Sequence, residues 1–225
     1  MPDPAPHGSP AAAPHSASSA ERATASASPA APCGMSRAHV CLIGLRGAGK
    51  TSVGMHLAAQ CGRPFHDLDE LVLRRLGERS VKATFERLGE ASWRAGETAA
   101  LAAFLDAPLA PSILALGGGA PMTEAIADRL RAASAAGQAL VVHLDCPPEV
   151  AGERLSRDPG DRGSITGAGL VEELAALHRA RIDRYRALAA ISIDASLGSA
   201  DAVAERLLGR IVQAARSCSS QPSPR

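Results

Sequence analysis

Aromatic side chains are scarce in this chain, with three Phe, one Tyr and one Trp among 225 residues. Since 46% of residues are still hydrophobic, a core can form, but Ala, Leu, Val and Ile must build it. Lysine is scarcer still: Lys50 and Lys82 stand alone among 24 basic residues, the rest being Arg. Net charge is also missing, because 24 basic and 23 acidic side chains leave +1. No broad electrostatic field therefore argues for nucleic acid or a membrane surface as partner. The five cysteines (Cys33, Cys41, Cys61, Cys146, Cys218) are odd in number and contain no C-x-x-C. That argues against a disulfide framework or a zinc site and fits free thiols in a reducing compartment. The seven histidines show no H-E-x-x-H and no Cys/His cluster, so no protein-built transition-metal site is implied. No apolar run reaches the ~18 residues that would suggest a membrane span. The expectation is a soluble, cytoplasmic protein.

What is there begins with low complexity. Residues 1–35 are mostly Ala, Pro and Ser, with Asp3, Glu21 and Arg22 as the only charges. Such a segment cannot bury a core and is expected to be disordered. It has neither the regions of a signal peptide nor the arginine content of a transit peptide. Residues 216–225 read as a second disordered tail, leaving one domain over 36–215.

The domain opens with a phosphate-binding signature. Gly44-Leu-Arg-Gly-Ala-Gly-Lys-Thr51 fits G-x-x-x-x-G-K-[ST], with an apolar strand pattern before it (38–43) and a helical one after (52–60). Glycines let successive N–H groups point inward at phosphate oxygens, and the helix adds its positive end. Gly44, Leu45, Arg46, Gly47, Ala48, Gly49, Lys50, Thr51 and Ser52 are the expected nucleotide contacts. Lys50 reaches the β and γ phosphates, and the Thr51 hydroxyl ligates Mg²⁺. In a chain that uses Arg almost everywhere, Lys stands where a slim point charge is wanted.

Downstream, strand and helix patterns alternate. Strands are expected at 64–69, 112–116, 139–144 and 190–193. Helices are expected at 70–76, 81–88, 91–105, 123–136, from Pro147-Pro148 onward, 170–188 and 200–215. This predicts a parallel sheet covered by helices on both faces, with ligands at the carboxyl ends of the strands.

Several candidates lie at those ends. Asp67 and Asp69 share a face of an extended chain and can divide the work of holding Mg²⁺ and meeting a substrate hydroxyl. The competing reading is a strand end with Asp69 capping the next helix. Arg94 and Glu97 lie one helical turn apart, either as an exposed ion pair or with Glu97 orienting Arg94 toward a carboxylate. Gly117-Gly118-Gly119 is entropically costly and suggests close backbone approach to a ligand. Arg162 sits in a Gly/Asp/Ser-rich loop (158–169) suited to closing over phosphates. Arg181 precedes Tyr185 by one turn, amid a basic face of Arg179, Arg184 and Arg186.

Taken together, these stretches resemble the shikimate kinase family. The matching segments are IGLRGAGKTSVG (43–54), PFHDLD (64–69), FERLGEASWRAGE (85–97), LALGGGA (114–120), DPGDRG (158–163) and RIDRY (181–185). The resemblance implies a P-loop, nucleoside-monophosphate-kinase-like three-layer sandwich with five parallel strands and a mobile lid. It implies phosphoryl transfer from ATP, with Mg²⁺, to the 3-hydroxyl of shikimate. Lys50, Asp69 and Arg162 would be catalytic, and Thr51 with Asp67 would hold the metal. Asp69, Phe85, Trp93, Arg94, Gly117, Gly118, Gly119 and Arg181 would bind the substrate, and Arg154 or Arg157 would lie near adenine. A monomer is expected. Two departures stand out: Gly163-Ser-Ile follows Arg162 where the family usually has Pro-Leu-Leu, and Arg181-Ile-Asp-Arg-Tyr185 replaces R-x-P-L-Y. Two other readings stay open, a sugar-acid kinase such as a gluconate kinase and a catalytically idle ligand-binding module.

Overall fold

The computed structural model describes residues 38–157 and 169–219. The Ala/Pro/Ser segment, the last residues of the C-terminal tail, and the 158–168 stretch with Arg162 lie outside the described residues. Five strands form one all-parallel sheet: β1 (His39–Ile43), β2 (Phe65–Asp67), β3 (Ile113–Ala115), β4 (Ala139–Asp145) and β5 (Ile191–Asp194), ordered β2-β3-β1-β4-β5. The helices are α1 (Lys50–Cys61), α2 (Leu68–Leu76), α3 (Val81–Asp106), α4 (Glu124–Ala135), α5 (Pro148–Arg157), α6 (Leu170–Leu188) and α7 (Ala200–Ser219). This is the five-stranded parallel sheet, helices on both faces, that the alternating pattern implies.

β1 is central because every residue in it is buried, as a strand covered on both faces requires. Its alternate side chains feed two separate cores. Val40 and Leu42 pack with Leu57, Val142, Leu144 and Leu207 on the side of α1 and α7. Cys41 and Ile43 pack with Trp93, Leu101, Leu114, Ile126 and Leu130 on the side of α3 and α4. Register places Ile43, the last residue of β1, beside His143 of β4. Cys41, Cys61 and Cys146 are buried free thiols, and burial pushes the Cys41 thiol up to about 12, so it is inert. Among the described residues no helix is long and apolar enough to cross a membrane.

Two expectations need adjustment. β2 ends at Asp67 and α2 begins at Leu68, so Asp69 is helical and does not share an extended face with Asp67. The cap of α2 is Asp67, whose carboxylate accepts the Asp69 amide at 2.9 Å. The two helices expected at 81–88 and 91–105 are present as the halves of α3, separated by a kink where Gly89 leaves helical space with φ 76° and ψ 167°. In addition, α7 continues to Ser219, beyond the boundary expected at residue 215.

Packing between α1 and the sheet gives a stability test with two signs. A Cβ on Gly54 would lie 2.5 Å from Phe65 Cε2 and 3.1 Å from Leu42 Cδ1. Gly209, on the exposed face of α7, has nothing within 4 Å of that position. Gly54→Val is expected to destabilise by about 1–3 kcal/mol through overpacking. Gly209→Ala is expected to stabilise by up to about 1 kcal/mol through helix propensity. Urea midpoints of both variants against the parent check the pair.

Candidate active site

The carboxyl end of β1 leads straight into the phosphate loop, and the loop is pressed hard against its neighbours. A Cβ on Gly44 would lie 2.5 Å from the carbonyl oxygen of Leu144, so only glycine passes β4 here. Gly49 takes the left-handed conformation, φ 89°, that turns the chain into α1. Leu45 and Ala48 are buried and anchor the loop, whereas Thr51 and Ser52 stay exposed at the helix start. Lys50 Nζ donates to the carbonyls of Gly44 at 3.0 Å and Leu45 at 2.9 Å, which sets its ammonium over the loop. From α5, Arg154 donates to the carbonyls of Ala48 at 3.3 Å and Ala195 at 2.8 Å. It therefore braces the phosphate loop against the segment after β5. Arg157, the other arginine considered for adenine, is exposed and lies 3.7 Å from Glu153.

Asp67 links the loop to α2. Its carboxylate accepts the Thr51 hydroxyl at 3.1 Å while the other oxygen caps Asp69. Thr51 and Asp67 thus present two oxygen ligands side by side at the N-terminus of α1.

On the other side of the site, Arg94 is held by two carboxylates, Glu97 at 2.8 Å and Glu90 at 2.9 Å. Glu97 is wholly buried. Burial pushes its carboxyl up, the Arg94 guanidinium opposes that, and the charge of Asp69 adds to the rise. So Asp69, though on a helix, does lie within electrostatic range of the Arg94–Glu97 pair. Glu90 escaped the sequence reading, although its spacing of four residues before Arg94 was a usable signal.

The Gly117–Gly119 loop after β3 meets both halves. A Cβ on Gly118 would stand 3.2 Å from the Arg46 amide nitrogen and 3.3 Å from the Gly44 carbonyl oxygen. One on Gly119 would stand 2.8 Å from Arg94 Nη2. Two of the three glycines thus have an intramolecular reason, where the sequence suggested approach to a ligand. The carbonyl of Gly118 accepts the hydroxyl of Tyr185 at 2.5 Å, and Arg181 interacts with the same hydroxyl.

The aromatic pair is not symmetrical. Trp93 is 0% exposed and belongs to the core, so it does not line a pocket as the resemblance implied. Phe85, whose ring centre lies 5.5 Å from that of Trp93, is the partly exposed member. In the altered arginine segment, Arg184 pairs with Glu124 at 2.8 Å and Asp183 is exposed.

His143 is a further residue that no motif flagged. It stacks on Tyr185 with ring centres 5.2 Å apart. Burial pulls its pKa down to about 4, against the opposing charge of Asp145.

The site therefore joins a phosphate loop, an oxygen pair suited to a hard cation, and an oriented arginine around one glycine segment. Residues 46–212 match the shikimate kinase family model. The chain belongs to the shikimate kinase family. A shikimate kinase of Syntrophus aciditrophicus is 36% identical over 76% of this chain and 90% of its own length. Shikimate kinase 2 of Escherichia coli is 37% identical over 73% of this chain and 90% of its own. Among solved structures, shikimate kinase from Acinetobacter baumannii in complex with shikimate superposes with a TM-score of 0.71 at 30% identity, covering 80% of this chain and 96% of that one.

The electrostatics of this family member give a pH prediction. His143 has an ordinary value of 6.5 and a folded value of about 4, so the unfolded chain binds the extra proton between them. Its contribution is complete above 6.5 and is lost as pH falls toward 4. Burial also lowers His39 and His66, with the same sign. Urea midpoints should fall between pH 7 and pH 5, and fall by less in His143→Phe. Equal falls in the two proteins would contradict the assignment.

Proposed function

We propose that this chain transfers the γ-phosphoryl group of ATP to the 3-hydroxyl of shikimate, acting as a cytoplasmic monomer. One observation carries the reading: the phosphate loop and the carboxylate-oriented Arg94 meet at Gly118 and Gly119. Phosphoryl transfer of this kind needs mainly positioning and charge stabilisation, and the residues present fit those tasks.

The Thr51 hydroxyl and Asp67 carboxylate, 3.1 Å apart, are the hard oxygen ligands that Mg²⁺ takes in small number. When bound, the ion supplies positive charge to the phosphate oxygens. The amides from Leu45 to Ser52 cradle the phosphates, and Lys50 adds a movable positive charge. Arg94 and Arg181 grip the shikimate carboxylate, Arg94 as a planar fork whose direction Glu97 and Glu90 fix. Phe85 covers the apolar ring face. Asp69 accepts the hydrogen bond of the reacting hydroxyl. Arg162 closes over the phosphates and excludes water.

A coupled assay of ADP release with MgATP, with and without shikimate and with gluconate as control, tests this directly. Shikimate-dependent release is expected, and Lys50→Ala should lower it about 100-fold or more. Arg94→Ala should lower kcat/KM for shikimate about ten- to a hundred-fold, since a charge-assisted hydrogen-bond pair is lost. Release that gluconate supports as well as shikimate would overturn the acceptor. Release by Arg94→Ala at the parent's kcat/KM would overturn the carboxylate site.

A further inference from the structure

Tyr185 is the chain's one tyrosine, is 0% exposed, and spends its hydroxyl on the carbonyl of Gly118, 67 residues away. Its ring belongs to an apolar core cluster, where Phe would pack without bringing a polar group that must find a partner. Its hydroxyl reaches the acceptor loop, and Arg181, one turn back on its own helix, interacts with the same hydroxyl.

The effect of that bond follows from peptide geometry. Two consecutive glycines form the most freely rotating peptide unit available to a chain. Fixing the Gly118 carbonyl fixes the plane of the Gly118–Gly119 peptide. In a trans peptide the following N–H then points to the opposite side. Gly119 is the residue against which the Arg94 guanidinium rests. The bond thus decides whether an N–H or a carbonyl is turned toward the ligand of Arg94, a difference between attraction and repulsion for a carboxylate or hydroxyl oxygen.

His143 holds the ring from behind. It stacks on Tyr185 at an interplanar angle of 28°, is 1% exposed, and its Nδ1 has no hydrogen-bond partner among the described residues. The imidazole acts here through its face. Its Cδ2 would also lie 3.6 Å from a Cβ on Gly44, so the same ring stands beside the first residue of the phosphate loop.

We propose that Tyr185, backed by His143, is a positioning residue that locks the Gly118–Gly119 peptide with its N–H presented to the shikimate carboxylate or ring hydroxyls. The proposal rests on the acceptor site described under Proposed function.

Tyr185→Phe keeps the ring and removes the hydroxyl. Its KM for shikimate should rise about five- to ten-fold, the loss of one oriented hydrogen bond, while its KM for ATP stays at the parent's. His143→Leu, which removes the stacking face, should move the shikimate KM in the same direction, and His143→Phe should move it less. An unchanged shikimate KM in Tyr185→Phe, or a rise in both KM values together, overturns the proposal. Should Tyr185→Phe not fold, the two His143 variants carry the same reading, and equal shikimate KM values in both overturn it. A parent without shikimate-dependent turnover would instead remove the acceptor assignment itself.

Discussion

Even a methyl on Gly118 would be tight between the β3 loop and the phosphate loop. That constraint, centred on Gly118 and its contacts with the Arg46 amide and the Gly44 carbonyl, ties the two halves of the site together. The phosphate loop is in turn pinned by Leu144 behind it and by Arg154 beside it. The acceptor loop is pinned by Arg94 and by the Tyr185 hydroxyl. Each half inherits its position from strands at the middle of the sheet, since β3 and β4 flank β1. Nucleotide and acceptor are thus registered to each other through backbone contacts.

The Arg94–Glu97 pair shows what the site costs. Taking a carboxylate wholly out of water is unfavourable by several kcal/mol even when paired, and an apolar residue of similar size would often be the more stable choice. Glu97 is wholly buried and Arg94 about a quarter exposed, so the acid anchors and the base reaches outward. Glu90, two-thirds exposed, adds a second point of attachment, leaving the guanidinium little freedom to turn. A guanidinium held at two points is pre-organised for a planar anion, which is a use that surface ion pairs do not need.

Much of this was legible in the sequence. Strands β1, β3 and β4 are short apolar runs bounded by glycine or proline, and the phosphate loop follows from fixed glycine positions in a strand–loop–helix context. Asp67 and Asp69 were legible as a pair but not as strand against helix, because Asp at a strand end and Asp at a helix start look alike until the cap is seen. The resemblance makes Trp93 a pocket wall because its neighbours in sequence belong to the site. Burial depends on which face of α3 meets the sheet, and the kink at Gly89 obscures that face. Glycines 118 and 119 were legible as a close approach, but not what approaches. The stacking of His143 on Tyr185 joins β4 to α6, and no local pattern records such a contact.

The backbone contact at Gly118 couples the two binding sites, and Gly118→Ala tests that coupling most directly. The added methyl meets backbone on the phosphate-loop side, which must shift by a few tenths of an ångström to admit it. KM for ATP and KM for shikimate, measured in the same preparation, should both rise above the parent's. Parent values for both, in a folded Gly118→Ala protein, would contradict the account.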